Sequence, residues 1–436
     1  MVPDPSRRYA VVGLGSRAEL FVRAIAGAGQ AELAAFCDSN RTRMTAHNRW
    51  LSEPVPVYPA ADFVAMLGKE RIDVVVVCTP DHTHAEYIAA ALEAGCAVIT
   101  EKPMATDAAG CRRILEAQRR TGGSVTVGFN YRYNPAHRRV RELLADGVVG
   151  EIGSVHFEWL LDTQHGADYF RRWHRDKAAS GGLLVHKASH HFDLVNWWLD
   201  SRPETVFAMG RLFFYGEDNG LRHGRHRSYE RATGNVVARA DPFALDLGFS
   251  PRLKALYRDA EREDGYLRDR NVFGTGITIE DDMTVLARYA GGTQLSYHLV
   301  AYAPREGYRV AFTGSEGRLE LEVWENEHAR PSTPGKVRVS RPPGTAAPEP
   351  GSRARLTVQQ HWEPAEAVFD GPVGEGHGGG DVLMLVDLLS GTSSEGSADE
   401  LAGMWSLVIG LAANRSIATG GVVSVGEVLR ELGVSS

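Results

Sequence analysis

The stretch Val11-Val12-Gly13-Leu14-Gly15-Ser16-Arg17-Ala18 spells GxGxxA between an apolar run and a helical one. Such a turn suits a phosphate. Gly13 permits the tight bend, Gly15 lets the backbone approach a pyrophosphate, and small Ala18 allows close helix packing, while free N–H groups along Leu14, Ser16 and Arg17 attract the anion. Asp38 ends the next apolar run, 20 residues beyond Ala18, the spacing of a carboxylate that grips a ribose 2′-OH. Its charge repels a 2′-phosphate and so favours NAD over NADP, although Arg41 and Arg43 follow closely enough to offset it. A second group is rich in histidine: His186 and His190 lie four apart, with His165 and His174 upstream. That spacing mimics a metal pair, but no HExxH glutamate or cysteine partner accompanies it, and no metal is expected.

Positioning these groups requires a regular frame. Short apolar β-prone runs at 9–12, 31–37, 72–78, 97–100 and 124–127 alternate with helical stretches that stop at glycines. Strand and helix in alternation predict a doubly wound parallel sheet, a Rossmann domain over 1–128, with its ligand at the carboxyl ends of the strands. Beyond Phe129 the rhythm changes. Runs at 155–161, 205–214, 284–290, 293–302, 308–314 and 318–324 predict an open, mainly antiparallel sheet in a C-terminal α+β domain over 129–436. Gly291-Gly292 and Glu316-Gly317 fall between such runs and suit hairpin turns. A proline- and glycine-rich loop is expected at about 341–356, and helical periodicity returns after Asp381.

Composition limits the partners. The 436 residues are 43% hydrophobic and 24% charged with a net charge of −7, so nothing points to nucleic acid. The four cysteines, Cys37, Cys78, Cys96 and Cys111, lack CxxC spacing and read as reduced thiols, which favours the cytoplasm. No signal peptide is read at the N-terminus, and no later run is read as long enough to span a bilayer.

With CTPDHTH (78–84), TEKPM (100–104), GFNYRYNP (128–135) and GGLLVHKASHHFDLVNWWL (181–199) placed in order, the chain resembles the Gfo/Idh/MocA oxidoreductase family over nearly its whole length. The resemblance implies a nicotinamide-dependent enzyme acting on a secondary alcohol of a sugar, cyclitol or related polyol, with the site between the domains and the open sheet serving oligomer contacts. Such chemistry needs a base for the hydroxyl proton and a cation for developing negative charge on oxygen. The resemblance gives Lys102 the second role, beside nicotinamide and substrate, with Glu101 holding the ribose or orienting that lysine. It gives His190 the proton. The family's usual aspartate position holds His186 instead, which is expected to bind a substrate hydroxyl or share the proton.

Further expectations are attached to the same crevice. Thr79, Pro80, His82 and His84 should line the nicotinamide ribose, Tyr131 and Arg132 should approach it, and Arg132 belongs to the cofactor group. Arg172, Trp173 and Lys187 complete the substrate group with Lys102, Tyr131, His186 and His190. Residues of about 211–281 look like an insertion, expected to be a solvated face or a subunit contact. A homo-oligomer should form through the open sheet, whose bare face is expected to leave apolar surface. Two other functions compete: glycoside cleavage through transient oxidation and elimination, and a non-catalytic sugar-nucleotide-binding regulator, against which the EKP and histidine motifs argue.

Overall fold

A computed structural model describes residues 7–329, 351–390 and 394–434. Among them β1 (Arg7–Val12), β2 (Ala31–Asp38), β3 (Val57–Pro59), β4 (Val74–Val77), β5 (Ala97–Thr100) and β6 (Val125–Val127) form one parallel sheet. Its order is β3-β2-β1-β4-β5-β6, the order of a Rossmann sheet. Alternation explains why its strands are apolar throughout: Ala10, Val12, Val75 and Val77 enter one core, Tyr9, Val11, Val74 and Val76 the other. Gly13 is required where β1 turns toward its helix. Its φ is +84°, and a Cβ there would stand 2.5 Å from the Thr79 amide nitrogen. Asp107 caps the helix Ala108–Thr121 through Gly110 N–H at 2.7 Å, and Gly122 closes it in the left-handed region.

The second sheet holds β7 (Ile152–Asp162), β8 (Pro203–Arg211), β9 (Asp282–Tyr289), β10 (Gln294–Ala303), β11 (Gly307–Gly314), β12 (Gly317–Trp324), β13 (Arg353–Gln360), β14 (Glu366–Gly371) and β15 (Val423–Ser424). The order is β14-β13-β12-β11-β7-β10-β9-β8-β15, antiparallel except where β10 meets β7. The two glycine hairpins lie between β9 and β10 and between β11 and β12. Of the expected loop at 341–356, residues 341–350 lie outside those described, and Arg353 already begins β13.

Helices Ser189–Leu199 and Glu400–Thr419 pack between the sheets, the second against β8 and the first. Glu400–Thr419 corrects one expectation, because its 20 residues are long and apolar enough, by length and composition, to cross a membrane. Here it is a core helix that buries Met404, Leu407, Val408, Ile409, Ala412 and Ala413. The bare face of the second sheet is mixed, with apolar side chains among paired polar ones. His156 meets Ser296 at 2.8 Å, His298 lies between Asp282 at 3.0 Å and Glu158 at 3.8 Å, and Arg309 pairs with Glu320, so its polar groups are cross-strand partners. Met209 and Leu286 are the large apolar side chains exposed on β8 and β9.

The insertion is only in part the solvated face expected of it: residues 221–224 and Val236-Val237 are exposed, while other parts are packed. Asp281 accepts the N–H groups of Phe213, Phe214 and Tyr215 at 2.7–2.9 Å and so closes the base of the insertion. Leu245, Leu247, Leu253, Leu256 and Tyr257 then form an apolar cluster with Ala46 of the first domain.

Candidate active site

The glycine turn and Asp38 meet as the spacing requires. Leu14 N–H donates to Asp38 Oδ2 at 2.5 Å and Asn40 N–H to Oδ1 at 2.7 Å. A carboxylate offers about four acceptor positions, so two remain for ribose hydroxyls. Burial pushes the Asp38 carboxyl up, against the pull of Arg43 and the two amides. Arg17 leaves the turn to join Glu101 at 2.6 Å and Asp381 at 3.1 Å. Two of the amides expected to bind a pyrophosphate have partners within the protein, since Leu14 N–H goes to Asp38 and Ser16 N–H to the Tyr257 hydroxyl at 3.0 Å; Gly15 still allows a pyrophosphate to approach the turn, and Asp38 fits the adenosine ribose.

At the end of β5, Lys102 is half-buried beside the break between two helices. The sequence predicts one helical face carrying His186, His190, Asp193 and Trp197, but the structure has separate helices at Leu183–His186 and Ser189–Leu199. That break turns the carbonyl of His186 toward Lys102, whose Nζ donates to it at 2.9 Å and lies 3.5 Å from His186 Nε2. Burial pushes the Lys102 ammonium down to about 8, although Asp81 and Glu101 oppose the shift.

Nδ1 of His186 stands 2.5 Å from Oδ2 of Asp81, which lies in the turn after β4. Burial pushes the Asp81 carboxyl up; burial, Lys102 and Arg172 push the imidazole down, so the pair shares a proton rather than carrying two separated charges. The carboxylate absent from position 186 thus comes from the other domain. His190 is buried with Nδ1 unpartnered, its ring 4.8 Å from that of Tyr131. Burial, then Lys102 and Lys187, hold it well below the usual histidine range, in the neutral form that a proton acceptor needs. Lys187 is buried over Trp159 at 4.7 Å, and its Nζ reaches the Tyr131 hydroxyl at 3.5 Å. Trp173 stacks on His174 at 3.6 Å and stands edge-on to His186, while Arg172 pairs with Asp168 at 3.1 Å.

Several expected nucleotide contacts are committed elsewhere. Arg132 forms a buried bidentate pair with Asp193 at 2.7 and 2.8 Å, which ties the turn after β6 to the helix Ser189–Leu199. The ring nitrogens of His84 face the carbonyls of Pro103 at 2.8 Å and Thr79 at 2.9 Å, so His84 ties the two loops together and has no nitrogen left for a nucleotide. Pro80 and His82 are exposed at the surface of that turn, and Thr79 receives the Thr83 hydroxyl at 2.8 Å. Asp81, His377 and Asp381 are residues of this site that sequence reasoning missed. Asp381 accepts from Asn130 at 2.7 Å and meets His377 Nδ1 at 2.9 Å, and the His377 ring lies 5.1 Å from Tyr131. Only the onset of helical periodicity at Asp381 signalled that segment.

Asp81, His174 and His186 bring three possible metal-ligand atoms within 4.8 Å of one another. The cluster suits a cation poorly, because the Lys102 ammonium is already 3.5 Å from His186 and Arg172 acts on the same ring.

Comparisons with known proteins bear on the fold and the family. Residues 7–129 match a family described as "Oxidoreductase family, NAD-binding Rossmann fold", and residues 141–425 match its "C-terminal alpha/beta domain". YteT of Bacillus subtilis, named as an oxidoreductase, is 38% identical over 385 residues, 84% of each chain. An inositol 2-dehydrogenase of Rhizobium meliloti is 30% identical over 201 residues, 46% of this chain and 57% of that protein's length. The WlbA dehydrogenase of Bordetella pertussis, solved with NADH and UDP-GlcNAcA, shares the fold at a TM-score of 0.62 and 20% identity, over 97% of this chain and 99% of that one.

Proposed function

The chain belongs to the Gfo/Idh/MocA family of oxidoreductases, and on that premise we propose that it is an NAD-dependent dehydrogenase of a secondary alcohol in a sugar, cyclitol or glycoside. The observation that carries the reading is the meeting of Lys102 from one domain with His186 from the other at 2.9 Å, beside Asp81 and a neutral buried His190. Bound nicotinamide supplies the hydride acceptor. Lys102 steadies negative charge as the hydroxyl loses its proton, and His190 takes that proton at a ring nitrogen. His186, oriented by Asp81, holds a neighbouring hydroxyl, and Tyr131, Arg172, Trp173 and Lys187 line the same pocket. Wall groups this apolar and this cationic exclude water and strengthen each polar contact.

A second reading is glycoside cleavage by transient oxidation and elimination. What favours it is the presence of two separate proton-handling groups, His190 and the Asp81–His186 pair. One assay separates the two. A panel of sugars, cyclitols and glycosides is incubated with NAD and with NADP and followed by absorbance of the reduced nicotinamide: net dehydrogenation accumulates NADH with product, whereas redox-assisted cleavage releases product without it. No turnover and no nucleotide binding across the panel would overturn both. The same reading includes a homo-oligomer and a reducing compartment such as the cytoplasm, which suits the four free thiols.

A further inference from the structure

Part of the insertion reaches across the adenosine end of the dinucleotide site. Ser16 N–H donates to the Tyr257 hydroxyl at 3.0 Å, Arg252 donates to Ser16 O at 2.8 Å, and the Tyr257 hydroxyl would stand 3.6 Å from a Cβ on Gly15. Asn40, two residues after Asp38, gives its side-chain amide to Ala260 O at 2.9 Å and to Asp264 at 3.0 Å. Glu263 accepts the N–H of Arg41 at 2.7 Å and the hydroxyl of Thr42. These contacts tie the segment to the glycine turn and to the loop after β2, the two places that decide what a Rossmann site accepts.

Arg43 is the cation next to Asp38, with NH1 3.7 Å from Oδ1. Alone it could receive a 2′-phosphate. Its other nitrogens, however, reach Asp264 at 2.6 Å and Leu256 O at 3.1 Å, and the guanidinium lies 5.9 Å from the ring centres of both Tyr257 and Tyr266. Asp264 is also close enough to Asp38 to push that carboxyl up. The side chain of Arg41 points into solvent.

We propose that residues 250–266 are a built-in wall of the dinucleotide site and set its selectivity against a 2′-phosphate, with Asp264 holding Arg43 away and adding a second carboxylate beside Asp38. The proposal rests on the NAD-dependent reading above and assigns to the insertion a role beyond it. Dissociation constants for NAD and NADP are measured by calorimetry on the full chain. The unaltered protein binds NAD more tightly. Asp264→Asn keeps the size and one acceptor oxygen but removes the charge and frees Arg43, so the gap between the nucleotides narrows by about tenfold. Adding Arg43→Ala to Asp264→Asn restores much of the gap, because Arg43 is the group released. Asp218→Asn, which removes an exposed acid of the insertion outside residues 250–266, leaves the gap unchanged. Should Asp264→Asn unfold, Asp264→Ser serves in its place, with folding checked by the thermal midpoint.

The outcomes separate. An unaltered protein that binds neither nucleotide overturns the NAD-dependent reading itself. One that binds NAD while Asp264→Asn or Asp264→Ser leaves the gap unchanged, or while Arg43→Ala adds nothing, overturns only the role of the wall. An equal narrowing by Asp218→Asn has the same effect, since general charge would then explain the result.

Discussion

Asp81 and His186 face each other across the two domains, carboxylate oxygen to ring nitrogen at 2.5 Å. Because that contact orients the imidazole, Asp81→Asn should lower kcat/KM by about tenfold to a hundredfold, the usual cost of losing an orienting partner of a catalytic or binding histidine, with NAD affinity unchanged. Steady-state kinetics and an NAD titration check it. Unaltered kinetics would mean that the pair is only a domain contact.

The division of labour among the basic groups is read from three variants. Lys102→Ala and His190→Ala should each reduce kcat by about a hundredfold or more while NAD still binds. His186→Ala should mainly raise KM if it holds a hydroxyl. A fall in kcat like that of His190→Ala would instead mean that the histidines share the proton, and full activity in a folded His190→Ala protein would show that the base lies elsewhere.

A pH profile tests Lys102. Burial pushes its ammonium down to about 8; a cation steadies oxygen only while protonated, so kcat/KM should hold at neutral pH and fall as pH rises through about 8. Lys102→Arg should remove that alkaline limb at some cost in rate. For stability the sign runs the other way: between about 8 and 10.5 the unfolded lysine binds more proton than the folded one, so this group's contribution to stability rises with pH over that window.

Arg132→Ala leaves Asp193 charged and buried with its bidentate partner gone. Denaturant unfolding should show a loss of about 3–5 kcal/mol, the cost of breaking a buried pair from one side. NAD affinity measured below the transition should stay the same. A large loss of NAD affinity in a stable Arg132→Ala protein would restore Arg132 to the cofactor group.

For the open sheet, light scattering at micromolar concentration should give at least twice the mass of the chain. Met209→Glu with Leu286→Glu, both exposed on that face, should shift the protein toward a monomer. A monomeric parent protein would count against the oligomer.

The parallel sheet was legible because its strands are buried on both sides and cannot afford polar residues, which makes them stand out as unbroken runs. β3 has only three residues and ends in Pro59, while β13 and β14 carry charged residues on exposed positions, so none of them yields such a run. Within the site, the glycine turn and Asp38 were legible because backbone geometry dictates them locally. Asp81 was not, since 105 positions separate it from His186 and only tertiary packing joins them. The same holds for Arg43 and Asp264, and for the break after His186, where local helical periodicity continues although the helix does not.

The contact of Arg17 with Asp381 spans 364 positions. During synthesis the glycine turn emerges from the ribosome 364 residues before the carboxylate that completes its arginine. Glu101 alone partners Arg17 until then. The partners of the turn's arginine are consequently complete only once Asp381 has been made, and a nascent Rossmann domain, although its own sheet is complete, lacks that contact.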